Sequence, residues 1–253
     1  MEPETKHPSV PWKPVVGLLF VVAIYFFSQV VGSLVAYIYP LLKHWTKEQA
    51  TSWLTNSVFA QFLYVLVAEL VVIACVYGFL RLYKRDWSLI GLVRLRWRDV
   101  AYGLVAVIPY YIIYLIAVSV VSKLIPSLNV QQQQQIGFTN IHGALPLVLT
   151  FISLVILPPL TEEILIRGFL YSSLKKGLPL LWAALITSLV FAVAHLPEGG
   201  AAGPLYIAAI DTFILSLVLI YLREKTGSLW SSITLHAVKN GVAFLALFIF
   251  HMS

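Results

Sequence analysis

The chain has 253 residues, 60% hydrophobic and 11% charged, with a net charge of +6. A mean hydropathy of +0.88 is far outside the range of a soluble domain of this length and identifies a polytopic membrane protein. The basic excess sits between apolar runs and lines no aromatic face, so it reflects topology, and no nucleic-acid partner is expected.

Residues 1–13 are polar and proline-rich. The apolar run that follows, Val15–Ile38, is too long for a signal-peptide core and reads as a retained first span. The second, Val58–Leu82, holds Glu69 and the only cysteine, Cys75. One cysteine excludes an intramolecular disulfide and a multi-cysteine metal site, and inside an apolar run it reads as a small core hydrophobe. Before the third run, Val100–Val121, the basic stretch Arg81–Arg98 with Trp87 and Trp97 reads as a topological anchor with interfacial tryptophans, the alternative being a lipid- or acidic-substrate-binding patch. A polar linker, Ile125–Gly143, follows, with the glutamine tract Gln131–Gln135. Four further runs, Leu145–Leu174, Leu178–Ala194, Leu205–Leu222 and Leu229–Phe250, bring the helices near the ~20 residues of a bilayer crossing to seven. The segments become eight if the linker hides a short re-entrant or interfacial helix. No internal repeat or second domain stands out. The expected fold is all-α, a polytopic transmembrane bundle in one integral membrane domain over residues 1–253.

Orientation follows from lysine and arginine alone. An inside N-terminus puts Lys6, Lys13, Arg81, Lys84, Arg85, Arg94, Arg96, Arg98, Lys175, Lys176, Arg223 and Lys225 on the cytoplasmic side. Only Lys43, Lys47 and Lys123 then lie outside, so a cytoplasmic N-terminus is expected.

The fourth run carries Thr161-Glu162-Glu163-Ile164-Leu165-Ile166-Arg167, two carboxylates and an arginine where hydrocarbon should be. Ionisable residues at that depth are costly and read as functional. On a helix Glu163 and Arg167 are one turn apart and pair, whereas Glu162 points roughly 100° away and stays free. Pro158-Pro159, one turn earlier, is expected to kink or break the helix and free carbonyls that a water-lined cavity would satisfy. Phe191 and His195 share one stripe of the fifth span, as do His236 and Asn240 of the seventh. Counted from the turn at Gly177, Glu162 and His195 lie about 22 Å and 27 Å along their helices, similar depths, whereas His236 lies only ~15 Å from Thr226. The seventh helix must therefore start deeper, or the 171–178 turn must protrude.

One free glutamate, two imidazoles and a carboxamide suit peptide hydrolysis without a covalent intermediate. Glu162 with His195 can position and deprotonate water, and His236 and Asn240 can donate to the tetrahedral oxyanion. No serine or cysteine sits beside these groups in the motifs, which makes nucleophilic catalysis less favoured, with Ser172, Ser188 and Ser232 the residues that keep it open. Zinc held by Glu162, His195 and His236 is one alternative, although no His-Glu-x-x-His pair is present. A proton relay or transporter using Glu69, Glu162, Asp211 and the histidines is another. A silent partner-binding or immunity module is a third. Asp211 and Lys239 are read as a buried pair. Glu69 is placed against a neighbouring helix or the cavity, and Glu198 on a loop that Gly199, Gly200 and Gly203 let move as a lid.

Glu-Glu-x-x-x-Arg, Phe-x-x-x-His and His-x-x-x-Asn, in this order on successive membrane helices, resemble the three motifs of the CAAX-protease and bacteriocin-processing family, the Abi family of intramembrane glutamate endopeptidases. The resemblance covers about residues 145–245, with the motifs unsubstituted. It implies a catalytic core there, with Glu162 as the water-activating base assisted by His195. It also implies His236 and Asn240 as oxyanion donors, with Glu163, Arg167 and Phe191 in support. No cofactor or metal is implied, and a conical cavity would open toward the cytosol. Prenylated CAAX-type proteins or leader-peptide and bacteriocin-type substrates would be the partners besides the lipid bilayer. An eighth helix described for some members has no counterpart after Phe250. The expected location is a bacterial or archaeal plasma membrane, or the endoplasmic reticulum membrane in a eukaryote.

Overall fold

In the computed structural model residues 9–132, 134, 137, 138 and 141–251 are described, with the backbone alone at 201 and 202. Lys6 of the charge count and Gln133 and Gln135 of the glutamine tract lie outside the described residues. Pro14 at the first turn, where its missing N–H costs nothing, opens α1, Pro14–Leu42. A short helix that the sequence reading did not foresee, α2, Lys47–Asn56, starts on a reciprocal cap between Thr46 and Gln49. Ser57 then caps α3, Val58–Leu82. The remaining helices are α4, Trp97–Leu124, and α5, Ala144–Lys175, then α6, Leu180–Ala194, α7, Tyr206–Thr226, and α8, Leu229–Ile249. All except α2 belong to the seven segments long and apolar enough to cross a membrane, matching the seven expected spans. Among the described residues there is no strand, and none of those in the 125–143 linker is helical. The extra segment is instead α2, whose Trp53 joins Tyr39 and Trp45 in an aromatic cluster at the end of α1.

Side chains such as Leu19, Phe26, Val105 and Ile108 are exposed on the outer faces, as a lipid-facing surface requires. The interior is assembled from small residues and aromatic rings. A Cβ on Gly103 would come within 2.6 Å of the Ser231 carbonyl, so α4 and α8 meet backbone to backbone. Gly103→Ala is expected to destabilise the protein by about 1–3 kcal/mol, because neither helix can yield to the added methyl, and thermal unfolding in detergent measures this. At the other side of the bundle Trp12 stacks on Phe169, ring centroids 4.8 Å apart, and its Nε1–H donates to Ser173 Oγ at 2.6 Å.

Two local features shape the surroundings of the site. The segment after α3, read as a surface anchor, folds into the bundle. Asp86 caps a short turn, Trp87–Ile90, Leu89 and Ile90 are buried, and Gly91 carries the Leu229 N–H on its carbonyl at 2.9 Å. Gly91 has φ +90° and the Arg223 guanidinium packs on its Cα, so both the backbone conformation and the space require glycine. Trp230 Nε1–H reaches the Val93 carbonyl at 2.7 Å. The start of α8 is thus buried beneath this segment. Arg223, counted on the cytoplasmic side, is only 5% exposed.

The second feature is α5. Pro158-Pro159 does not break it; the helix runs through in α geometry, Leu157–Glu162, between two π-helical stretches, Ile152–Ile156 and Glu163–Leu170. A π turn absorbs an extra residue and re-aims the side chains that follow, and such turns collect at functional sites.

Candidate active site

Proline leaves a mark one turn upstream. The Leu154 carbonyl would accept from residue 158 in an α-helix or 159 in a π-helix, and both are prolines without an N–H. Asn240 of α8 fills the gap, its Nδ2–H donating to Leu154 O at 2.9 Å. The expected orphan carbonyl exists, and a carboxamide partners it. Asn240→Ala would leave that carbonyl bare and is expected to cost about 1–3 kcal/mol, read as a lower unfolding midpoint in detergent.

Two turns further on, Glu163 and Arg167 are fully buried and joined, Oε1 to Nη1, at 2.9 Å, as their spacing predicts. The same Oε1 lies 2.9 Å from His236 Nδ1. A carboxylate paired with arginine only accepts, so Nδ1 of His236 carries the hydrogen and Nε2 of the neutral ring is bare. That Nε2 points to Glu162, whose Oε2 is 3.8 Å away and has no hydrogen-bond partner among the described residues.

The imidazole beside Glu162 is therefore His236, whereas the depth argument had placed His195 there. His195 sits at the end of α6, Nδ1–H donating to the Phe191 carbonyl at 2.7 Å, with Nε2 3.8 Å from Glu198 Oε1. Phe191 separates the two imidazoles, its ring centroid 4.5 Å from that of His195 and 6.0 Å from that of His236. The Arg167 guanidinium lies over the same ring at 4.2 Å. Depth along a helix is readable from residue counts, but the rotation of one helix about its axis relative to the next is not, and rotation decides which ring meets the carboxylate.

These groups open onto one cavity of about 500 Å³ lined by Glu162, His195, Glu198, His236, Lys239 and Asn240, together with apolar side chains of α5 and α8. Lys239 and Asp211 form the expected pair at 2.9 Å, and the Tyr110 hydroxyl donates to the other Asp211 oxygen. Glu198 lies on a turn, Leu196–Ala202, and accepts from Gln134 Nε2 at 2.9 Å, which ties that turn to the linker. Glu69 meets both expectations for it, bonding to Thr161 and lining the cavity. The sequence reading missed Tyr25, Gln29, Gln61 and Tyr64, which complete the wall from α1 and α3. The glutamines that interrupt those apolar runs were the available signal. Among the described residues, no three His, Cys, Asp or Glu side chains converge in the manner of a metal site.

No curated protein and no solved structure matches the chain. The protein is an integral membrane protein with seven helices long and apolar enough to cross a bilayer, and its stretch from 144 to 242, which supplies every motif residue at this cavity, is similar to the family described as type II CAAX prenyl endopeptidase Rce1-like.

Proposed function

We propose that the protein is an intramembrane endopeptidase in which Glu162 activates water directly, without a metal. The observation that carries this reading is the unpartnered Glu162 carboxylate oxygen facing the bare Nε2 of His236 across 3.8 Å inside a membrane cavity. Two acceptors at that spacing orient a water through both of its hydrogens. Glu162 takes one proton as the oxygen attacks the scissile carbonyl. This gives neutral His236 a water-orienting role in place of the oxyanion donation expected of it, because its one N–H is engaged by Glu163. Asn240 keeps one N–H beyond the bond to Leu154 and can present it to the oxyanion. His195 lines the same cavity and assists through Nε2. Glu163, Arg167 and Phe191 hold the two rings in place.

The substrate proposed is a prenylated CAAX-type protein or a leader-peptide segment reaching the cavity from the bilayer. The apolar wall of Phe244, Leu247 and Phe248 and the polar wall of Gln29, Gln61 and Tyr64 support a ligand with one greasy and one peptidic side. We place the N-terminus in the cytoplasm of a bacterial or archaeal cell and treat residues 1–253 as one domain, because α1 and α3 complete the cavity built on α5–α8. Protease cleavage of the 81–99 loop only from the cytoplasmic face is the expected topology result.

Purified protein is offered prenylated CAAX-type and leader-type peptides with a chelator present, and Glu162→Ala and His195→Ala are run in parallel. Cleavage that persists under exhaustive chelation and vanishes in Glu162→Ala is expected. Loss on chelation with recovery on adding zinc would overturn the metal-free mechanism.

A further inference from the structure

Glu69 lies on α3, outside the stretch that matches the protease family, in a helix whose neighbouring positions are all apolar. An acid there is costly enough to need a use. Its Oε2 bonds to the hydroxyl of Thr161, the residue immediately before Glu162, and both glutamates line the same cavity. We propose that Glu69 is the proton donor to the leaving amine, a proposal that rests on the reading of Glu162 as the base.

The hydrogens around Thr161 carry the argument. Its single hydroxyl hydrogen faces three oxygens: Glu69 Oε2, the Leu157 carbonyl at 2.9 Å and the Pro158 carbonyl at 3.3 Å. Carbonyls cannot donate. If the hydroxyl donates to Glu69, its oxygen confronts Leu157 O at hydrogen-bond distance with no hydrogen between them. If Glu69 is a neutral carboxylic acid, it donates to Thr161 and Thr161 donates to Leu157, and both contacts hold a proton. The arrangement therefore keeps an acidic hydrogen one residue from the base.

The other carboxyl, imidazole and amino groups of the wall named so far have their own contacts. His195 and His236 turn bare Nε2 atoms to the cavity, Lys239 is bound to Asp211, and Glu198 accepts from Gln134. When the tetrahedral intermediate collapses, the C–N bond breaks and its electron pair leaves on nitrogen. That nitrogen takes the proton from Glu69, which becomes a carboxylate. Glu162 holds the proton taken from water and returns it to Glu69 through the cavity, so both groups recover their starting states.

The test uses a farnesylated CAAX-type peptide in two forms, one with the scissile amide and one with a thioester in its place. A thiolate leaves without a proton, whereas an amine does not. Glu69→Gln can still donate a hydrogen bond to Thr161 but has no proton to give. It is expected to lower kcat on the amide by about 10²-fold or more, with KM unchanged, and to leave thioester turnover within about threefold of wild type. Retained thioester turnover also reports an intact fold. Equal losses on both substrates, or no loss on the amide, would overturn the assignment. Amide cleavage by Glu162→Gln at the wild-type rate would instead overturn the reading on which it rests.

Discussion

Glu162→Gln is expected to lower kcat for peptide cleavage by between about 10² and 10⁴-fold, the span usual for loss of a positioned general base. The amide has the shape of the carboxylate, and the cavity at this point holds no ion pair that needs its charge. Glu162 Oε2 has no hydrogen-bond partner among the described residues, and His236 Nε2 lies 3.8 Å from it. Folding should therefore survive, with the unfolding midpoint in detergent close to that of wild type. Turnover should collapse because an amide cannot take a proton from water at neutral pH. His195→Ala should have a smaller effect than Glu162→Gln, since His195 is directed toward Glu198. Assays with one peptide under identical detergent and lipid conditions rank the two, and a larger loss in His195→Ala would contradict the geometry.

The largest effect on stability is expected from Arg167→Met. Arg167 and Glu163 are both fully buried, and removal of the cation leaves a carboxylate with only His236 Nδ1 against it. Breaking a buried pair from one side costs about 3–5 kcal/mol, most of it the cost of the charge left behind. Arg167 also covers the Phe191 ring, and methionine replaces only part of that contact. Without Arg167 the Glu163 side chain loses one of the two contacts that fix Oε1, so it holds the His236 ring less firmly and activity falls with stability. The double variant Glu163→Gln with Arg167→Met removes both charges and should recover a good part of the lost stability without recovering activity. Thermal unfolding of the four proteins in the cycle reads the coupling. Additive losses would show that the pair contributes nothing beyond its separate contacts.

The motif residues were legible because each is an exception to its surroundings. A carboxylate pair with an arginine one turn on, and an imidazole one turn after a phenylalanine, stand out in runs otherwise made of leucine, valine and isoleucine. Helical spacing was enough to pair Glu163 with Arg167, since both sit on one helix and the geometry is local. The Asp211–Lys239 pair was also foreseen, from two adjacent spans that each carry a single opposite charge. The short helix Lys47–Asn56 was missed because it is polar and has no apolar period, although the Thr46–Gln49 cap was visible. The basic stretch after α3 was taken for a surface anchor because its charges are conspicuous. Trp97 and the arginines beside it do stay exposed, but Leu89 and Ile90 sink into the core. Pro158-Pro159 announced a disturbance in the helix, and only the coordinates show a continuous helix with π turns and a distant carboxamide on the freed carbonyl.

Residue order alone determined that this chain is a seven-span membrane protein with a polar constellation on its last four spans. Both conclusions follow from local quantities: the hydrocarbon thickness a helix must cross and the cost of a charge within it. The tertiary structure decided that His236 meets Glu162, that Asn240 partners the carbonyl the prolines leave free, and that α1 and α3 bring Glu69 and the glutamines to the same cavity. Those outcomes depend on how far each helix is rotated and sunk against its neighbours. Packing between distant parts of the chain sets that, from the Gly103–Ser231 contact to the buried turn beneath Leu229, and no spacing within a single helix encodes it.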